Sequence, residues 1–277
     1  MLALKNNIDS PPMTGNDVLI AQTLLMRDKA VSNSFAASGT FDQSSVDATA
    51  AFQAANSLSA DGVLGAATAS SLLTLHSDDG VTDTGFSAGS LGYLYKFWIP
   101  VHNNRSIETQ AILYDKDNNV MLKFTARTHG HRNDGSSLPW PDFGNGDFGC
   151  NQFTSSCATV TGIAEIDLNS PEPDPDLYGP WPINRIVRGL DGNAKLLLPN
   201  IRDGLLVHTG NWTTSTAKWT EDMDMPNSSG CIHGHPSDIE KVYNILISLG
   251  VKVNNNTFSG KNYPYKPQGI AVIELID

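Results

Sequence analysis

Cys231 has the clearest capacity for covalent chemistry in this sequence. It stands in MPNSSGCIHGHP (225–236), and His208 closes the apolar run GLLVHTG (204–210). A thiol attacks a carbonyl as its thiolate, and an ordinary cysteine keeps its proton up to a pKa of about 8.5. A neighbouring imidazole can take that proton and leave a thiolate–imidazolium pair. His208 ends a strand-like run, so its backbone is expected to be well anchored. Gly230, just before the thiol, permits a turn in which successive N–H groups face one point, as an oxyanion requires. Ser229, Gly230 and Cys231 are the expected donors. A cysteine that follows Ser-Ser-Gly is also a poor fit to an inert core position.

A metal is the rival chemistry. Cys231-x-His233-x-His235 and His129-x-His131 each put alternate side chains on one side of an extended chain. Together with His208 they could assemble a tetrahedral zinc site. The plainer reading makes His129 and His131 loop histidines. A third reading lets that loop line a cleft, with Arg127 and Arg132 pairing to a substrate carboxylate.

These residues need a scaffold, and the sequence predicts one of mostly β type. Short runs rich in Val, Ile, Leu and aromatics, separated by Asn, Gly, Asp and Pro, predict strands. They are Tyr93–Val101, Thr109–Tyr114, Val120–Thr128, Thr161–Leu168, Lys195–Leu198, Gly204–Val207, Val251–Val253 and Ile270–Leu275. One helix is predicted after the cysteine. Ser237 and Glu240 form a capping box, Ile239, Val242, Ile245, Leu246 and Leu249 share a face, and Gly250 stops it. The segment PEPDPDLYGPWP (171–182) holds five of the 15 prolines, which rules out a central strand. It reads as a stiff loop, either covering a site or simply crossing the surface.

Residues 15–75 differ from the rest. Helical spacing places Val18, Ala21, Leu24 and Leu25 on one face, and Ser45, Ala48, Thr49 and Phe52 on another. Asp61-Gly62 and Gly65 read as turns before a third helix over Ala66–Leu75. The run 77–90, SDDGVTDTGFSAGS, has linker composition. The expected organisation is a domain over 12–76, a linker over 77–90 and a second domain over 91–277, an α+β chain overall.

Composition bounds the function. With Lys+Arg 18 against Asp+Glu 29, the net charge of the 277 residues is −11, a poor match to polyphosphate. No nucleic-acid partner is expected. No run approaches the roughly 18 apolar residues of a membrane span, and the N-terminus lacks the pattern of a secretory signal. Three cysteines, Cys150, Cys157 and Cys231, leave one unpaired within the chain. Cys150 and Cys157 are either a small disulfide or two free thiols, and Cys231 is the odd one out.

Two resemblances sharpen the reading. Gly15-x-Asp17-Val18, Gln22, Leu25, Phe41-Asp42, Phe52-Gln53, Asp61-Gly62-Val63-Leu64-Gly65 and Thr68 resemble the three-helix peptidoglycan-binding domain attached to many bacterial wall enzymes. His208-Thr209-Gly210, then Ser228, Gly230, Cys231 and Ile232, resemble the L,D-transpeptidase catalytic domain, whose signature is a His followed by Gly, Ser or Thr and later Ser/Thr-His-Gly-Cys-apolar-Arg/Asn. Thr161-Gly162 and the strand after it fit the family's strand entry. The second resemblance implies Cys231 as nucleophile, His208 as general base and the Thr209 carbonyl as the group that orients the imidazole. It implies acyl transfer from a peptidoglycan stem through a thioester, with an amine or water as acceptor and no cofactor. It also implies peptidoglycan stem peptides and glycan as partners, a monomer, and work outside the cytoplasm or in the wall. Three positions depart from the signature. Ser229 replaces its His, His233 replaces its Arg or Asn, and Cys231 stands 23 positions after His208. A protonated His233 could stand in for the missing cation at a substrate carboxylate.

Overall fold

The computed structural model describes residues 12–105, 107–128, 151–154, 157–212, 220–223, 225–226, 228–255 and 263–277. The chain divides into two compact units that change over between Asp79 and Gly80.

The first unit holds helices α1 (Asn16–Leu25), α2 (Gln43–Ala55) and α3 (Ala66–His76). Their inner faces bury Val18, Leu24, Leu25, Phe41, Phe52, Leu64 and Leu72. These helices are too short to hold alone, so tertiary packing must stabilise them. Two buried glutamines tie the turns to the helices. Gln22 gives Nε2 to Ser45 Oγ at 2.8 Å and Thr40 O at 2.9 Å, and takes the Gly39 N–H at 2.8 Å. Gln53 gives Nε2 to Asp61 Oδ1, Val63 O and Thr68 Oγ1 at 2.9–3.0 Å, and takes the Gly62 N–H at 2.9 Å. Gly62 has φ 70° and lies against Val46, a position that excludes a side chain.

Eight strands among the described residues close into a barrel in the second unit. They are β1 (Tyr95–Val101), β2 (Thr109–Asp115), β3 (Val120–Arg127), β4 (Gly162–Asn169), β5 (Ile183–Asp191), β6 (Leu206–His208), β7 (Ile232–Gly234) and β8 (Gly269–Leu275). The order around the barrel is β1-β2-β3-β7-β6-β5-β4-β8. The pairs β6–β7 and β1–β8 are parallel; the others are antiparallel. The inner face is apolar. Tyr95 stacks edge-on to Phe97, and Phe97 to Phe124, with ring centroids 5.8 and 6.2 Å apart. Register carries this face on through Ala126, Ile232 and Val207. The chain is thus α+β, three helices followed by a β-rich unit, as its patterning predicts.

Several local expectations fail for physical reasons. Residues 192–197 form a short helix, α5 (Gly192–Leu197), in place of the predicted strand Lys195–Leu198. Asp191 caps it by accepting the Gly192 N–H at 2.8 Å, and a four-residue apolar run fits either period. Val251–Val253 forms no strand; only Asn254 bridges to Asn169. Strand β5 was not predicted, because Arg185 and Arg188 interrupt its apolar pattern. In α6 (Pro236–Ser248) the N-cap is His235, with Pro236 in the first turn, so the Ser237 capping box does not form. Pro suits that place because its missing N–H would be unpaired there anyway. The proline-rich segment contains one helical turn, α4 (Pro175–Tyr178), capped by Asp174.

The stretch predicted as a flexible linker is anchored over its second half. Lys96 Nζ is fully buried and bonds Asp83 at 2.8 Å and Phe86 O at 2.8 Å, between the rings of Phe86 and Tyr114. Asp83 N–H bonds Glu274. A buried ammonium without an anion would be costly, so Lys96 fixes residues 83–86 against the barrel. Cys157 is disulfide-bonded and Cys231 is free; Cys150 lies outside the described residues.

Candidate active site

The site lies on the outer face of the barrel, where β5, β6 and β7 meet. Pairing sets the geometry. Val207 faces Ile232 and His208 faces His233 in the parallel β6–β7 ladder. Leu206 and Cys231 therefore make the preceding rung, on the same face as His208 and His233. On one side Leu206 pairs with Arg185 of β5; on the other His233 pairs with Arg127 of β3. One face thus gathers Arg185, Cys231, His208, His233 and Arg127. Cys231 and His208 are diagonal neighbours, about 8 Å apart between Cα atoms from standard strand spacings.

His208 is buried, and its Nδ1 lies 2.6 Å from Thr209 O. A carbonyl can only accept, so Nδ1 carries the proton and Nε2 the lone pair. Burial pulls the imidazole down to about 4, against a smaller upward pull from Thr209 O and Glu172. The half-buried Cys231 thiol is pushed up to about 11, chiefly by burial, with the Leu206 N–H and the guanidinium groups of Arg202 and Arg185 acting the other way. The sulfur donates to Gly204 O at 3.5 Å. At neutral pH the resting pair is thus a neutral thiol and a neutral imidazole, joined by no hydrogen bond. Both shifts run against a thiolate–imidazolium pair at rest. A barrel wall of buried residues does not solvate two charges.

The turn before the cysteine is rigid. Gly230 has φ +110°, and a Cβ there would lie 2.7 Å from Cys157 O and collide with Arg202. Gly230 N–H donates to Ser228 Oγ at 3.1 Å, and Ser228 Oγ donates to Cys231 O at 2.7 Å. The Gly230 N–H is therefore not open to an oxyanion, contrary to its expected role, and the backbone N–H groups of Ser229 and Cys231 remain the candidates. Arg202, buried, fastens the same turn. It donates to Gln152 O, Ala158 O and Cys157 O at 2.7–3.0 Å and to Ser229 O at 3.3 Å. Thr159 Oγ1 lies 2.8 Å from Gly230 O.

A roof of aromatic rings covers the histidines. Tyr178 of α4 lies 5.1 Å from His208, His208 lies 4.8 Å from His233, and His233 lies 4.9 Å from Trp212, ring centre to ring centre. His233 Nδ1 donates to Pro226 O at 2.9 Å. The segment carrying Tyr178 is pinned at Asp176, whose carbonyl takes the Asn211 and Trp212 N–H groups and whose carboxylate takes Asn211 Nδ2. Glu172 of the same segment pairs with Arg185 at 2.6 Å. The proline-rich stretch is therefore a cover over the site. Thr209 Oγ1 is buried and has no hydrogen-bond partner among the described residues.

Of the site residues named from sequence, Cys231, His208, Thr209, Ser229, Gly230, His233 and Arg127 fall in one neighbourhood. Arg132, His129 and His131 lie outside the described residues. Among the described residues, no three of His, Cys, Asp and Glu gather as metal ligands, and no helix is long and apolar enough to cross a membrane. Sequence reasoning missed Tyr178, Glu172, Arg185 and Arg202. The interruption of β5 by arginines was the one available signal.

In the first unit, a groove of about 540 Å³ runs beside α2, lined among others by Phe35, Asp42, Asp47, Ala48 and Ala51.

Residues 14–72 match the family described as "Putative peptidoglycan binding domain". No curated protein matches the chain. Among solved structures, the chain is similar to the L,D-transpeptidase (residues 123–326) from Xylanimonas cellulosilytica, at 16% identity and a TM-score of 0.33, covering 97% of this chain and 100% of that one. It is also similar to a fused Zn-dependent amidase/peptidase/peptidoglycan-binding domain-containing protein from Clostridium acetobutylicum, at 13% identity and a TM-score of 0.26, with the same coverage.

Proposed function

We propose that this chain is a peptidoglycan enzyme in which residues 12–76 hold the wall and residues 91–277 transfer an acyl group through Cys231, in the manner of an L,D-transpeptidase. The observation that carries the reading is the diagonal of Cys231 and His208 on one face of two parallel strands, with His208 Nδ1 spent on Thr209 O and Nε2 left as base.

The reaction follows from that geometry. The thiol turns away from Gly204 O towards His208 and gives Nε2 its proton as the sulfur attacks the amide carbonyl before the terminal D-Ala. An S–C bond forms, and the carbonyl oxygen becomes an oxyanion facing the Ser229 and Cys231 N–H groups. As the C–N bond breaks, His208 hands its proton to the leaving amine, and D-Ala departs. The thioester is then attacked by the amine of a second stem, which loses its proton to His208, and the thiol is restored. Water in place of the amine gives carboxypeptidase action. Because both groups start neutral, charge develops only as the bond forms.

The first unit adds residence on the substrate. The apolar floor of its groove (Phe35, Ala48, Ala51) beside the carboxylates of Asp42 and Asp47 suits a sugar with hydroxyl and amide donors. Such a protein works outside the cytoplasm, as a monomer, without a cofactor.

Incubation with a disaccharide tetrapeptide tests the reading by product mass. Loss of D-Ala marks hydrolysis and a cross-linked dimer marks transfer; Cys231→Ala should abolish both. Turnover that survives in Cys231→Ala would refute it, and binding to sacculi without any turnover or labelling of Cys231 would point to a binder that lacks catalysis.

A further inference from the structure

We propose that Arg185 is the receptor for the terminal carboxylate of the substrate, and that Glu172 fills that place in the resting protein as an intramolecular stand-in. The inference rests on the reading of Cys231 as nucleophile given above. Its starting point is a vacancy in chemistry: a stem ending in D-Ala carries a carboxylate one residue beyond the attacked carbonyl, about 3.8 Å of chain. A cation must meet it. His233, two residues after Cys231, gives its Nδ1 proton to Pro226 O and lies between the rings of His208 and Trp212.

Arg185 is placed for the task. Register puts Arg185, Leu206 and Cys231 side by side on three neighbouring strands, so the arginine Cα is two strand spacings, about 10 Å, from that of the nucleophile. A guanidinium on its long stem spans the distance between a carboxylate held there and the strand. Its planar fork matches a carboxylate better than any other cation in the repertoire.

The group it holds now is itself a carboxylate. Arg185 Nη2 donates to Glu172 Oε1 at 2.6 Å, with both side chains nearly enclosed. Arg185 Nε donates to Asn169 Oδ1 at 3.3 Å. The other acid on the same rung, Asp167, is taken by Tyr263 OH, Asn254 Nδ2 and Gln268. Glu172 does not come from the barrel wall. It comes from the cover, in the same segment as Tyr178, which lies on His208. Lifting that segment uncovers the nucleophile and the base and takes the Glu172 carboxylate from Arg185. A substrate carboxylate entering as Glu172 leaves replaces that ion pair in kind, whereas a ligand without one does not. The ion pair thus couples opening of the cover to the presence of a carboxyl-terminated stem.

The test uses the full chain with Cys231→Ala, so that ligand binding is read without turnover. N-acetyl-L-lysyl-D-alanine and its C-terminal amide are titrated by calorimetry or NMR. The acid is expected to bind at least tenfold more tightly than the amide. Adding Glu172→Gln should tighten the acid by about tenfold and leave the amide unchanged, because the competitor is gone and the receptor is kept. Adding Arg185→Gln should erase the preference for the acid, and Arg185→Lys should restore part of it. Equal binding of acid and amide, no binding of either at millimolar concentration, or a Glu172→Gln chain that binds the acid no better would overturn the proposal. If the acid preference holds but the wild-type chain yields no product from a tetrapeptide, the reaction assignment fails while the carboxylate site stands.

Discussion

The protonation state of Cys231 offers the sharpest check on the site. Burial pushes its thiol from about 9 up to about 11. At pH 7 the thiolate fraction is then about 10⁻⁴ against about 10⁻² for an ordinary thiol, roughly 100-fold less, since each pKa unit is a factor of ten. His208, buried and held at about 4, is not protonated at that pH and offers no charge to stabilise the thiolate. Alkylation by a small reagent such as iodoacetamide should therefore be about two orders of magnitude slower in the folded chain than in the chain unfolded by urea at the same pH. The folded rate should keep climbing with pH towards 11. Cys157 is disulfide-bonded, so mass spectrometry of the modified peptide assigns the adduct to Cys231. A fast rate that levels off near pH 6 or 7 would mean a thiolate–imidazolium pair at rest, and the argument from burial would be wrong.

Other tests bear on the parts around it. His208→Gln should flatten the acid side of the stability curve. A folded-state value near 4 against 6.5 unfolded means that the unfolded chain binds the extra proton, so stability is full above about 6.5 and lost as pH falls through about 4, by about 3 kcal/mol in all; thermal melts of both chains from pH 4 to 7 show the difference. Gly230→Ala places a methyl against Arg202 and Cys157 O at a left-handed φ, a cost of about 1–3 kcal/mol. For a unit of this size that is a fall of roughly 2–12 °C in melting temperature, and loss of Cys231 reactivity with it; an unchanged melt would show the turn to be pliable. Gln53→Leu leaves the Gly62 N–H without its partner at about 1–3 kcal/mol, so the first-unit transition should drop, as followed by amide exchange at residues 62–68.

How much of this was readable in advance depends on the scale of the signal. The helices of the first unit follow from Val18, Leu25, Ala48 and Phe52 at helical spacing. Most barrel strands follow from runs such as Tyr95–Val101 and Gly269–Leu275. Strand β5 was hidden because Arg185 and Arg188 are turned to the outer face, where carboxylates of the proline-rich cover and of the neighbouring strand β4 neutralise them, Glu172 and Glu165. A one-dimensional pattern cannot show that a charge has a partner. The same limit hid Tyr178, whose ring reaches His208 through a cover, and Arg202, whose carbonyl partners stand about 27 to 50 positions away. The chemistry of Cys231 was legible in kind; its charge state was not, since burial follows from packing.

The parallel pairing of β6 with β7 has a consequence for how such sites vary. Two parallel neighbours cannot be joined by a tight hairpin, and the chain between them must travel out and return. His208 and Cys231 are aligned by the rungs Val207–Ile232 and His208–His233, not by the stretch that links them. That excursion can therefore lengthen, shorten or change composition while the nucleophile and base keep their offset. The distance along the chain between the two reactive residues is free to drift, and a search that demands a fixed interval would overlook proteins built on the same pair of strands.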